Sequence, residues 1–284
     1  MRILKLWFWA SAVFLLSPIA EAFLPPVVDI LREVTSGRKP GPVELVLRHR
    51  ISVKGAGVVE VDERILRDRN QFYFIWAGAS LGQSLSASWA QDKYQMGNTS
   101  FPSRSIAMVA ALSARGPEDL RDSLISEQFI QREHLYQFKP GYNPSGDPVT
   151  WETRENYLRH PEIFLKKLSS GVAIAIGSAN EGNETKAVCF DKGLKGLRRF
   201  EWQVNQQTFA WNFEGFAPFA AGGLYPRRLS FESNGVEVIQ SELTAVRAAT
   251  ARTLSDFKTA WRQAQKGEVT PAAEGILKLL LSYR

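Results

Sequence analysis

Residues 200–216, FEWQVNQQTFAWNFEGF, alternate large apolar and polar side chains on both sides of a polar centre. As a hairpin turning at Gln206-Gln207, the stretch sets Val204 opposite Phe209, Trp202 opposite Trp211 and Phe200 opposite Phe213. Strand side chains alternate with period two, so all six fall on one face. Glu201, Gln203, Ala210, Asn212 and Glu214 take the other. Burying each large apolar side chain is worth ~1.5–3 kcal/mol, so that face cannot stay in water. It must be covered by core, by membrane or by an apolar ligand.

The same alternation recurs elsewhere. In Val43 to Val53 the odd positions are apolar apart from His49, and Glu44, Arg48, Arg50 and Ser52 point away. Val58 to Asp68, Gln71 to Trp76 and Ser84 to Met96 follow as further strands, with Phe72, Phe74 and Trp76 on one face of the third. Val172 to Ser178 and Thr185 to Asp191 precede the opening hairpin. Arg227 to Val246 forms another around Asn234-Gly235, a pair suited to a type I′ turn. That turn pairs Phe231 with Val238 and brings Glu232 against Glu237, a clash to be relieved by Arg227, Arg228 or a bulge. Alternating strands joined by short turns describe an antiparallel meander.

Helical signals are fewer. Val27 to Val34 follows Pro25-Pro26, and Pro117 opens a helix with Leu120, Leu124 and Phe129 on one side. Lys139 to Pro148 is a turn-rich loop. Glu152 to Leu168 reads as two short helices parted at His160-Pro161. Leu254, Phe257 and Trp261 mark an amphipathic helix, and Thr270-Pro271 starts a last one running to Leu281. The chain divides into a leader, 1–22, a single sheet domain, 23–250, with a helical insertion at about 98–170, and C-terminal helices, 251–284.

The leader has a basic start, Arg2 and Lys5, then an apolar run from Leu6 to Leu16 and Ala20-Glu21-Ala22, the pattern of a cleaved export signal. The mature chain would begin near Phe23. The formal net charge of +6 in an exported protein points to anionic surfaces such as lipid headgroups rather than nucleic acid. Cys189, the single cysteine, excludes an intramolecular disulfide.

Catalytic signals are poor, and the chain reads as non-enzymatic. His49, His134 and His160 lie in separate elements without metal-like spacing, so no metal or cofactor is expected. Ser36-Gly37-Arg38-Lys39 matches an S-x-x-K tetrapeptide without its companion motifs. No nucleophile elbow or phosphate-binding glycine loop is present.

Residues 224–249, LYPRRLSFESNGVEVIQSELTAVRAA, resemble the late strands of the periplasmic lipoprotein-sorting carriers, the LolA/LolB-like family. In these strands a proline-led strand and a polar turn lead into a long V-x-V strand. KAVCFDKGLKGLRRFEWQV, residues 186–204, resembles the preceding strand pair, and the order of elements is similar from residue 25 to about 249. The resemblance implies a mainly β, α+β fold: a strongly curved antiparallel sheet, an unclosed β-barrel, with a helical lid supplied by the insertion. It also implies acyl chains of lipids or lipoproteins held in an apolar hollow and moved between membranes, with a membrane-bound donor or acceptor as partner. The family's key arginine has three candidate positions, Arg48, Arg50 and Arg64, and none is singled out.

The candidate lining is Phe72, Phe74, Trp76, Phe200, Trp202, Phe209, Trp211, Phe213, Phe231 and Val238. The alternatives are a non-catalytic envelope scaffold with a solid core and, third, a hydrolase. The hydrolase would need Ser, His and Asp side chains gathered in one cleft.

Overall fold

The computed structural model describes residues 25, 27–53, 55, 57–90, 93–96, 99–102, 106–130, 163–178, 184–193, 196–264 and 269–282. The expected export leader, the expected loop at 139–148 and the helical reading of 152–162 lie outside them. Helix α1 (Val27–Val34) leads into β1 (Val43–Val53), β2 (Gly57–Asp68) and β3 (Gln71–Ala77). After a 3₁₀ turn at Ala79–Leu81 come β4 (Leu85–Ala90), β5 (Lys93–Met96), β6 (Thr99–Pro102), α2 (Ala107–Ser113) and α3 (Pro117–Ser126). Strands resume as β7 (Ile163–Leu168), β8 (Gly171–Ser178), β9 (Glu184–Asp191), β10 (Leu197–Val204) and β11 (Gln207–Glu214). A small pair, β12 (Ala217–Pro218) and β13 (Leu224–Tyr225), precedes β14 (Arg228–Ser233), β15 (Val236–Ala248), α4 (Ala251–Ala264) and α5 (Pro271–Ser282).

Thirteen strands form one sheet in the order β6-β5-β4-β3-β2-β1-β15-β14-β11-β10-β9-β8-β7, antiparallel at every step. Its two ends do not pair with each other, so the barrel is unclosed. The sheet curves around the helices on its inner face. Arg67 on β2 and Phe200 on β10 stand five places apart, roughly 24 Å across a flat sheet. Both nonetheless meet the same short helical segment, Arg67 at Ala110 and Asp119 and Phe200 at Phe129.

Alternation decides which side chains point inward. On β1, Leu45, Leu47, His49 and Ile51 are buried while Arg48 and Arg50 are exposed; on β2, Val59, Val61, Glu63 and Ile65 are buried. The two aromatic hairpins correct the expected registers. β10 and β11 turn at Asn205-Gln206, both with positive φ (49° and 64°), rather than at Gln206-Gln207. Phe200 therefore faces Trp211 and Trp202 faces Phe209. The shift is even, so the six apolar residues keep their common face. Around Asn234-Gly235, Glu232 does oppose Glu237, but Phe231 opposes Ile239 because Val238 is the extra residue of a bulge. Arg199 from β10, not Arg227 or Arg228, stands 3.2 Å from Glu232.

Two further expectations fail. Ile163–Leu168 is a strand, not the end of a helix. Ser84 to Met96 is two strands, β4 and β5, paired antiparallel with Trp89 opposite Tyr94. α4 lies on the outer face, where Phe257 packs with Leu66 and Ile75, and Trp261 donates to Ala87 O at 2.9 Å. Thr270 Oγ1 caps α5, accepting from Ala273 N, and Ile276, Leu277, Leu280 and Leu281 of that helix join the inner core.

Candidate functional site

The inner wall carries two aromatic groups. On β10, β11 and β14, Trp202 stacks on Phe209 at 5.9 Å, Trp211 meets Phe231 at 5.3 Å and Phe200 meets Phe213 at 5.7 Å. On β3 to β5, Phe74 stacks on Trp76 at 5.6 Å and meets Tyr94 at 5.2 Å, while Phe72 packs edge-on to Trp89. All ten residues named from the sequence belong to one apolar cluster. Eight are buried and Trp202 and Val238 are half-buried.

Helix α2 packs into this cluster, and all seven of its residues are buried. It reads AMVAALS, with no polar stripe for solvent, so it is stable only when enclosed. Its C-terminal carbonyls have no partners within the helix and are taken by two arginines. Arg38, just after α1, donates from Nη1 to Ala111 O and Ala114 O, both at 2.9 Å. Arg67 donates to Ala110 O at 3.3 Å and pairs with Asp119 in the first turn of α3. Asp119 also accepts from Arg115 Nε at 3.1 Å.

Both guanidinium groups are held below the usual arginine range by burial, which nearby Asp119 partly offsets. Each lies over a ring, Arg38 over Tyr225 at 4.6 Å and Arg67 over Phe72 at 5.2 Å. The stem of Arg38 is pressed by Gly223 (φ 73°), where a Cβ would come within 2.8 Å of Arg38 Cγ.

Neither arginine stood among the three candidates. Arg48 and Arg50 are even-numbered positions of β1 and Arg64 an even-numbered position of β2, and all three point outward. Arg48 pairs with Asp62, and Arg64 with Glu44. Arg67 shares the odd, inward parity of Glu63 and Ile65, the signal that could have found it.

A polar row crosses the middle of the inner wall. His49 Nδ1 lies 2.7 Å from Ser241 Oγ on β15, and its Nε2 lies 2.9 Å from Glu63 Oε2 on β2. Glu63 Oε1 accepts from Trp76 Nε1 at 2.6 Å. His49, Glu63 and Trp76 are fully enclosed and Ser241 is 5% exposed. These are side chains a hydrolase could use, with Glu in place of Asp. Ser241, however, stands inside the ladder between β1 and β14, where backbone N–H groups serve strand pairing rather than an oxyanion. Among the described residues no group of His, Cys, Asp and Glu side chains is placed to hold a metal ion.

The outer face is chemically different. A trough of about 890 Å³ there is bordered by Arg48, Arg50, Arg199, Glu201, Glu232 and Gln240 among others. Lys166 Nζ lies 2.6 Å from Glu201, and Arg199 Nε lies 2.8 Å from it. Burial raises the Glu201 carboxyl, but these two cations more than offset it and hold it below the usual range. Across the strands, Glu214, Arg228, Glu242, Arg48 and Asp62 stand side by side with alternating sign. Cys189 is enclosed beneath β7 and β8 among Ala173 and Ala175, and burial pushes its thiol up to about 11. It is therefore inert as a nucleophile at neutral pH.

No protein-family model matches the chain, and no curated protein matches it. Among solved structures it is similar to a LolA superfamily protein from Nitrosomonas europaea, at 12% identity and TM-score 0.46, over 80% of this chain and 95% of that one. It is also similar to a putative outer membrane lipoprotein-sorting protein domain from Vibrio parahaemolyticus, at 7% identity and TM-score 0.38, over 84% of this chain and 98% of that one. A DUF1329 family protein from Desulfovibrio piger matches at 8% identity and TM-score 0.39, over 79% and 91% respectively. The first two carry in their names the lipoprotein-sorting family that residues 224–249 resemble.

Proposed function

We propose that the chain is an exported, periplasmic carrier that takes the acyl chains of lipids or lipoproteins against its inner aromatic wall and moves them between membranes. One observation supports this reading. The aromatic wall shares one buried cluster with a helix, α2, that is apolar on every side and fastened at one end by Arg38 and Arg67. A seven-residue helix is roughly 10 Å long and about 10 Å across, room enough for an acyl chain if α2 and α3 swing away. Each methylene then buried against the ten lining residues contributes ~0.8 kcal/mol, which compensates for the surface α2 uncovers. No helix among the described residues is long and apolar enough to cross a membrane, so contact with a membrane-bound donor or acceptor would be made from outside the bilayer.

The test is direct. Organic extraction of the purified protein should yield co-purified lipid, and a fluorescent acyl probe should bind. Trp211→Glu, with its fold verified by circular dichroism, should abolish both. If nothing co-purifies and the probe is indifferent to Trp211→Glu, carriage is wrong. The competing reading, an envelope scaffold with a solid core, draws on the same enclosed wall and expects that negative outcome.

A further inference from the structure

The basic residues of the chain are not spread evenly. By the register of the ladders, the β7–β8 turn, the β9–β10 turn and the β11–β14 connection fall at one end of the sheet. Contacts draw them together with the segment after α1. A Cβ on Gly196 would come within 2.3 Å of the Phe216 ring, Arg198 lies over that ring at 5.5 Å, and Lys39 Nζ donates to Ala220 O at 3.3 Å. Residues 36–39, 166–171, 191–198 and 214–228 hold nine Lys and Arg against two acids, Asp191 and Glu214. That excess is larger than the +6 of the whole chain, so the protein's basic character resides at this end. At the other end, the Asn205-Gln206 and Asn234-Gly235 turns are uncharged.

Some of these cations are engaged within the fold. Arg38 is turned inward to α2, Arg198 pairs with Asp191 at 2.5 Å and Lys166 with Glu201 at 2.6 Å. Arg228 stands in register with Glu214. Lys39, Lys167, Lys192 and Arg227 are exposed and have no ion-pair partner among the described residues. Apolar side chains sit beside them. Val172, opposite Lys167 across the β7–β8 turn, is 49% exposed, and Leu224, three residues before Arg227, is 36% exposed. Single exposed apolar residues are ordinary, but set among unpaired cations they suit a lipid–water boundary.

We propose that this end of the sheet docks on anionic lipid bilayers, with Lys39, Lys167, Lys192 and Arg227 at the phosphates and Val172 and Leu224 at the acyl boundary. The proposal goes beyond the carrier reading and does not rest on it, since a scaffold could dock in the same way. Each Lys or Arg near such a surface strengthens partitioning by up to about fivefold. An acidic protein fits less well. The adjoining trough, where an extended acidic segment would lie, is bordered by Glu201, Glu232, Glu237 and Glu242, which repel it. A bilayer meets only the end.

Protein purified after export is to be sedimented with vesicles of phosphatidylglycerol and phosphatidylcholine, and with vesicles of phosphatidylcholine alone. It should favour the anionic vesicles by about tenfold or more, and high salt should remove the difference. Lys39→Gln, Lys167→Gln, Lys192→Gln and Arg227→Gln should each weaken anionic binding about two- to fivefold, and together bring it to the phosphatidylcholine level. These side chains are exposed, so the fold should survive, as circular dichroism would verify. Arg252→Gln, which removes a cation 93% exposed on α4, should change binding by less than about twofold. No preference for anionic vesicles overturns the docking surface. An equal loss in Arg252→Gln also overturns it, making net charge the cause. Val172→Ser with Leu224→Ser should weaken vesicle binding and leave binding to polyglutamate unchanged. Vesicle binding indifferent to those two substitutions, and displaced by polyglutamate, overturns the bilayer in favour of an acidic protein. A wild-type protein that docks yet takes up no acyl probe overturns the carrier reading and leaves docking standing.

Discussion

Helices α2 and α4 lie on opposite faces of the same sheet and are held by opposite means. α4 has one apolar stripe, Leu254, Phe257 and Trp261, laid on Leu66, Ile75 and Tyr73, with its other side in water. α2 has no side for water, and its fastening is polar and confined to its end. An amphipathic helix can detach into solvent with modest loss, because half of it is already solvated. A wholly apolar one can leave only if something apolar takes its place. On the carrier proposal, the inner face is the one where occupancy would be exchanged.

Removing the inner fastening should have the largest effect. Arg67→Ala strips the Ala110 carbonyl and half of the Asp119 pairing from a buried setting. Asp119 keeps Arg115, so the cost falls at the lower end of the range for a broken buried pair, about 3 kcal/mol. A urea titration should register it, and acyl-probe uptake should accelerate in the same variant. Unchanged uptake would break the link between fastening and exchange.

On the outer helix, Trp261→Phe loses one half-buried hydrogen bond and should cost about 0.5–1.5 kcal/mol with no change in probe binding. Lys258→Ala, which removes a partly exposed pair with Asp68, should cost less than about 0.5 kcal/mol and less still in high salt.

The smallest effect belongs to Glu201 in the outer trough. Its folded carboxyl is depressed by Lys166 and Arg199, so its contribution is present above the unfolded carboxylate range and fades as the pH falls through the folded value. Glu201→Gln should therefore lower the neutral plateau slightly and flatten the acid limb of the stability–pH curve, the two curves meeting below the folded value. A parallel shift of the whole curve would mean the ion pairs contribute nothing pH-dependent.

Much of the sheet was legible because period-two alternation is strong where one face is enclosed. Val43 to Val53 emerges with the bounds the pattern implies. In the opening hairpin, parity outlasts a change of register. Its turn lies one residue earlier than expected, which shifts every pairing by two, so parity and the common face survive.

Ile163–Leu168 reads as helix because Phe-Leu-Lys-Lys-Leu has good helix formers, and only its place beside β8 makes it a strand. α2 falls within the expected helical insertion at about 98–170, but the sequence does not single it out. A short apolar run has no amphipathic period to reveal it. The Ser241–His49–Glu63 row was equally hidden, since it requires β15 to lie beside β1, nearly two hundred residues apart by the hydrogen bond that joins them.

That blindness to two-residue slips is also the folding chain's own problem. Sliding β15 by two positions along β1 would leave every greasy side chain facing inward, and burial would scarcely object. What changes is the polar pairing: inside, His49 would lose Ser241, and outside, Arg48 and Arg228 would both exchange Glu242 for Gln240 or Thr244. The alternating charges thus index the central strands, telling apart alignments that hydrophobicity treats as equal.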